Sequence, residues 1–183
     1  MTRTKDLIAI QAFKVAWLRM SGNAGDQNYR GKMAEKLASE YLESVGCEIT
    51  ARYRRGTADK PIYDFDVRCP NDIGQPVKRI EVKEAKIKVK EKTRGKDSTR
   101  GGRFVMKPHE ERDCYAFLVD DFYNNSVTLD FIQADAVDPL YPHQGASPKL
   151  NIGKIPEIRK FKCFDWLENT IILPRTTLGR DVQ

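Results

Sequence analysis

The sequence predicts a single α/β domain built on a mixed β-sheet. Three observations predict it. Apolar residues recur at helical spacing between positions 34 and 45, the period then changes to two through residue 83, and a nearly continuous apolar run follows at 114–119. A chain of 183 residues is long enough to bury a full core as one domain. The core is expected over about 28–135, with an N-terminal helix at 4–21 and a C-terminal region at 136–183 as additions.

Each element has its own signal. Thr4–Met20 reads as a helix, with Ala9, Phe13, Ala16 and Met20 on one face and Gly22 as its stop. A second helix, about Asn28–Val45, carries Ala34, Leu37, Ala38, Tyr41, Leu42 and Val45 as a stripe and ends at Gly46. Cys47–Arg54 and Ile62–Cys69 read as strands, and the composition of Pro70–Gly74 marks a turn. Val77–Lys83 is a third strand. If it runs on towards Val89 its apolar parity shifts, from Ile80 and Val82 to Ala85, Ile87 and Val89, which predicts a bulge or break near Glu84. Thr93–Gly102 reads as a loop rich in Gly, Lys and Arg. The run Cys114–Val119 suits a buried central strand, Asn124 and Asn125 turn the chain, and Ser126–Ile132 returns. Residues 138–155, rich in proline, read as irregular, and the tail after Pro174 as frayed.

Composition narrows the function classes. No apolar run is long enough to span a membrane, and Gln11, Lys14 and Arg19 interrupt any signal-peptide core, so a cytoplasmic protein without a membrane partner is expected. The cysteines Cys47, Cys69, Cys114 and Cys163 form no C-x-x-C pair, which argues against zinc and for small buried apolar residues. Net charge is +6. Lys83–Lys107 holds ten Lys or Arg against three Asp or Glu, so this one segment accounts for the whole excess. Such a segment suits a polyanionic partner.

The chemistry concentrates beside it. In Tyr63-Asp64-Phe65-Asp66, both aspartates point to one face; in Ile80-Glu81-Val82-Lys83, Glu81 and Lys83 share a face opposite Ile80 and Val82. A hairpin centred near Asp72 or Ile73 sets Asp64 opposite residues 80 to 82. Adjacent carboxylates repel unless one is protonated or a cation lies between them. Magnesium favours such oxygen ligands and can lower the pKa of a water nucleophile. A lysine two residues along can orient that water or neutralise charge growing on a phosphate. The pattern therefore suits phosphodiester hydrolysis. Asp66 is a rival to Asp64; the preference for Asp64 rests on the hairpin register, which puts Asp66 nearer the turn. There is no Gly-rich phosphate loop, nucleophile elbow or dinucleotide fingerprint.

These residues, with Gly31–Glu35, Ala38, Tyr41-Leu42 and Gly46 upstream, resemble the PD-(D/E)XK nuclease superfamily, the restriction-endonuclease-like and Holliday-junction-resolvase-like enzymes. The likeness covers roughly residues 30–120. It implies a core of a helix, a three-stranded meander carrying the acidic residues, a further helix and another strand, flanked here by an extra N-terminal helix. It implies a metal-dependent endonuclease acting on DNA, with Asp64, Glu81 and Glu35 at Mg2+ (Mn2+ as a substitute) and Lys83 assisting the attacking water. Lys86, Lys88, Lys90, Lys92, Arg94, Lys96, Arg100 and Arg103 are expected to hold the DNA backbone. The resemblance also implies a homodimer, one site per strand, although no segment identifies an interface. The motif's proline is missing, since Tyr63 stands before Asp64. The competing expectation is a non-catalytic nucleic-acid-binding or assembly module on the same fold. His109 and His143, lone histidines near prolines, read as structural or surface residues, and Trp17 and Trp166 as packing residues.

Overall fold

The computed structural model describes residues 27–52, 63–70, 74, 76–90, 99–106, 112–121, 126–141, 148–167 and 171–174. The predicted helix at 4–21, His109, His143 and the tail after Pro174 lie outside the described residues.

Helix α1, Gln27–Ser44, forms where the apolar stripe predicts it. Ala34, Leu37, Ala38, Tyr41 and Leu42 are all buried, the i, i+3, i+4, i+7, i+8 pattern of a helix lying on a sheet. Its end is set by Gly46, whose φ of 96° a side chain would strain. The Gly46 N–H donates to the Glu43 carbonyl (3.0 Å) and the Cys47 N–H to that of Leu42 (2.9 Å), so the last carbonyls are satisfied as the chain turns into β1.

The described residues form ten strands after it: β1 Glu48–Arg52, β2 Phe65–Arg68, β3 Lys78–Lys86, β4 Lys88–Lys90, β5 Thr99–Gly101, β6 Arg103–Val105, β7 Cys114–Asp121, β8 Ser126–Gln133, β9 Lys149–Asn151 and β10 Ile171–Pro174. Six form the main sheet in the order β1-β2-β3-β7-β8-β10. Among the described residues only β3 and β7 pair in parallel, and the other pairs of this sheet are antiparallel. The sheet is thus mixed, as expected. A parallel pair needs a crossover. The resemblance implies a helix there, whereas the described residues between β3 and β7 carry β4, β5 and β6. β4 pairs with β5, and β6 with β9, as two small antiparallel ribbons.

Both faces of the sheet are covered. On one, Phe65, Val67, Ile80, Val82, Ala116, Leu118, Leu129 and Phe131 pack against α1, Phe164 and Leu167. On the other, Ala85, Phe117, Val119 and Ile132 pack beneath Phe104, Leu150, Ile155 and Ile158. Here lies the reason the parity of β3 shifts without the predicted break. The strand runs unbroken from Lys78 to Lys86, with Ile80 and Val82 under α1 and Ala85 under the second layer. The expected bulge near Glu84 is therefore a change of covered face.

Other expectations change as well. Residues 138–155 include β9, a 3-10 turn at Asp138–Leu140 and another at Ile152–Lys154. Thr99–Gly101, placed in the basic loop, is strand β5. The C-terminal region supplies sheet and core: β10 pairs with β8, and Cys163, Phe164 and Leu167 belong to the α1-side core. Cys47 and Cys69 are disulfide-bonded across the β1–β2 pair, not merely small apolar residues, because the register brings the chain ends flanking Glu48 and Arg68 together. Cys114 and Cys163 are free and buried. Trp166 packs against the core as read from sequence.

Candidate active site

The β2–β3 hairpin fixes the site. Its register pairs Phe65 with Ile80, Asp66 with Arg79 and Val67 with Lys78, which centres the turn between Asp72 and Ile73. The main ladder ends at Phe65, and Asp64 lies just beyond it in a bend. The Asp64 N–H still donates to the Ile80 carbonyl (2.9 Å). Its side chain then does what the missing strand would have done: Oδ2 accepts the Val82 N–H at 2.7 Å. One carboxylate oxygen thus satisfies an amide of the neighbouring strand, and the group is pinned beside Glu81.

Glu81 and Lys83 point away from α1, on the face opposite Ile80 and Val82, as their spacing requires. Asp64 is 7%, Glu81 2% and Lys83 6% exposed, so three ionisable groups share one buried place. The Lys83 ammonium donates to Glu81 Oε1. Burial, then the charges of Glu81 and Glu35, push the Asp64 carboxyl up to about 8, against the opposing pull of the Val82 N–H and the Lys83 ammonium. The influence of Glu35 locates it: half-buried on α1, it is near enough to Asp64 for its charge to be felt. Asp64 is thus brought beside Glu81 and Lys83 from another strand, and Glu35, on α1, lies within electrostatic reach of Asp64. The register partner of Asp66 is Arg79.

Carboxylate oxygens held close against their own repulsion are the donor set a hard divalent cation fits. Asp64 and Glu81 could ligate it directly, with Glu35 at a longer reach. Among the described residues no three His, Cys, Asp or Glu side chains are gathered as a formed metal cluster. Glu81 instead holds the Lys83 ammonium, and Asp64 the Val82 amide.

Parallel pairing with β7 supplies the next layer. Glu81 lies opposite Tyr115 and Lys83 opposite Phe117. The Tyr115 hydroxyl donates to Asp138 Oδ1 (2.9 Å) and lies 2.9 Å from the Tyr141 hydroxyl. Arg112 donates to Asp138 (2.9 Å) and Tyr141 (2.7 Å), and its guanidinium stacks 4.4 Å over the Tyr115 ring. Burial, then the bond to Tyr141, raise the Tyr115 phenol well above its ordinary range, so it stays protonated. This polar network braces the wall beside Glu81. Sequence reasoning missed it, and the signal available was the tyrosine Tyr115 inside the apolar run at 114–119.

The basic segment divides. Lys86 ends β3, Lys88 and Lys90 lie in β4, Arg100 in β5 and Arg103, exposed, in β6. Lys92, Arg94 and Lys96 lie outside the described residues. No helix of the described residues is long and apolar enough to cross a membrane. Comparison with known protein-family models and with curated protein sequences gives no match.

Proposed function

We propose that the protein is a metal-dependent endonuclease of the PD-(D/E)XK type that hydrolyses DNA phosphodiester bonds. One observation carries the reading. The hairpin register sets Asp64, at the end of a ladder, beside Glu81 and Lys83, with Glu35 close enough to repel it. A fold gains no stability from burying carboxylates that repel one another, so their crowding here supports a ligand that needs them.

Asp64 and Glu81, with Glu35 at a longer reach, would hold Mg2+, or Mn2+ in its place. The bound ion supplies charge for the phosphate and an acidified water. The Val82 amide keeps Asp64 Oδ2 fixed, so this carboxylate presents its other oxygen. The Lys83 ammonium, which donates to Glu81, would position the phosphate or the attacking water once a cation takes the carboxylate. The basic residues from Lys86 to Arg103 hold the backbone by charge, without reading sequence.

The test is cleavage of supercoiled plasmid and of branched DNA, with Mg2+, with EDTA, and by Glu81→Gln. Glutamine keeps the shape and still accepts from Lys83. Alanine would leave the buried Lys83 ammonium with no acceptor there and a cavity beside it, and so confuse folding with chemistry. Cutting that needs the metal and is lost in Glu81→Gln is expected. Salt-sensitive DNA binding without cutting, unchanged by Glu81→Gln, would favour a non-catalytic binding module.

A further inference from the structure

The two small ribbons have a composition unlike the rest of the molecule. β4, β5, β6 and β9 together hold Lys88, Lys90, Arg100, Arg103 and Lys149 and not one Asp or Glu. Within the β6–β9 ribbon the two faces are sharply divided. Phe104 and Leu150 point inwards and are 0% and 1% exposed. Arg103 and Val105 on β6, and Lys149 and Asn151 on β9, point outwards and are exposed.

The ribbon is held rigidly and near the site. Beyond the paired residues, the Met106 N–H donates to the Pro148 carbonyl (2.8 Å) at one end and the Ile152 N–H to the Gly102 carbonyl (3.0 Å) at the other. The Phe104 ring packs 4.7 Å from that of Phe117, and Phe117 is the ladder partner of Lys83. The outward basic residues therefore stand above the face of β3 that carries Glu81 and Lys83. β4 continues β3 after the single residue Ile87, and β5 meets β6 at Gly102. These strands thus follow one another along the chain from the candidate site.

We propose that the β6–β9 ribbon, with the β4–β5 hairpin leading into it, is an arm that binds the phosphates of duplex DNA through Arg103 and Lys149. The identification of the polyanion as DNA rests on the nuclease reading above; the surface itself does not. In the register Arg103 and Lys149 are diagonal neighbours, about 7–8 Å apart at the backbone. Neither forms an ion pair among the described residues, whereas nearby Lys154 is taken by Glu157 (3.1 Å). A two-stranded ribbon fits the major groove of a duplex. Single strands are held by stacking on aromatic rings, and the ribbon's one aromatic residue, Phe104, faces inwards. Asn151 is not a base reader, because its side-chain oxygen accepts the Gly153 N–H (3.0 Å). The arm grips the backbone and leaves sequence unread.

The test is binding of a fluorescent DNA duplex in EDTA, where nothing is cut, at several salt concentrations. R103E/K149E is compared with K36E/R68E, which makes the same change of charge on α1 and β2. The ribbon variant is expected to lower the slope of log affinity against log salt by about two and to weaken binding by about tenfold or more near ~0.1 M salt. K36E/R68E is expected to keep the wild-type slope. Circular dichroism checks the fold; should the reversal disturb it, R103Q/K149Q is measured and a fall in slope of about two is again expected. An unchanged slope in the ribbon variant, equal weakening by both double variants, no binding of duplex by the wild type, or tighter binding of single strands would each overturn the arm. Its fate is separable from that of the nuclease. An uncut plasmid with a ribbon-dependent slope removes the activity and leaves the arm; cleavage with an indifferent ribbon does the reverse.

Discussion

Neutralising Asp64 is expected to stabilise the metal-free protein. Its carboxyl rises from an ordinary 3.8 to about 8 in the fold, chiefly by burial and then by Glu81 and Glu35. Between those values the folded chain binds a proton that the unfolded chain has released, so stability from this group falls as pH rises from about 4 to about 8. The fall is worth up to about 1.4 kcal/mol per pH unit. Asp64→Asn removes it. Thermal unfolding in EDTA should show a gain in Tm for the variant that is larger at pH 8 than at pH 5; an equal or negative difference at pH 8 would refute the crowded carboxylates. Adding Mg2+ at pH 8 should raise the wild-type Tm and raise that of Asp64→Asn by less. The Val82 amide offers a direct view of the same group. Because it donates to Asp64 Oδ2, its proton resonance should move with a midpoint near pH 8, and should not move in Asp64→Asn.

At the scale of elements, the hairpin and α1 were legible and the second layer was not. The stripe from Ala34 to Leu42 gives a helix because five of its positions need the same cover. Asp64 could be set beside Glu81 because a turn near Asp72 fixes every pair above it, and the structure pairs Phe65 with Ile80 as that centre demands. β6 and β9 escaped because each is three residues long and buries one side chain, Phe104 or Leu150. Alternation cannot be read from one point. The Cys47–Cys69 bond escaped because spacing alone does not give connectivity. It closes a loop with a sequence separation of 22, and by chain entropy should contribute about 3 kcal/mol. Urea unfolding of Cys47→Ser/Cys69→Ser against wild type should show that loss, and a reductant should lower the wild-type midpoint while leaving the variant's in place. In α1, Leu37→Ala should cost about 2–5 kcal/mol, since Leu37 is fully buried between helix and sheet; a cost under 1 kcal/mol would mean that the helix is not seated as described.

For the molecule as a whole, the mixed sheet sets the division of labour. Among the described residues, antiparallel strands on either side flank the one parallel pair, β3–β7, with Glu81 on β3, Asp64 beside it and Glu35 on α1. The chain leaving β3 cannot turn straight back into a parallel neighbour, and it spends the detour on the two basic ribbons. That surplus of charge was visible in sequence at Lys83–Lys107; Lys149, arriving from far along the chain, was not. The disulfide has a further, topological meaning. Cys47 and Cys69 make the intervening chain, with Asp64 in it, a covalent ring closed through sulfur. A single peptide-bond cut anywhere inside that ring opens it without dividing the protein. A protease acting between residues 47 and 69 would leave one molecule on a non-reducing gel and two on a reducing one, with the aspartate still tethered from one side.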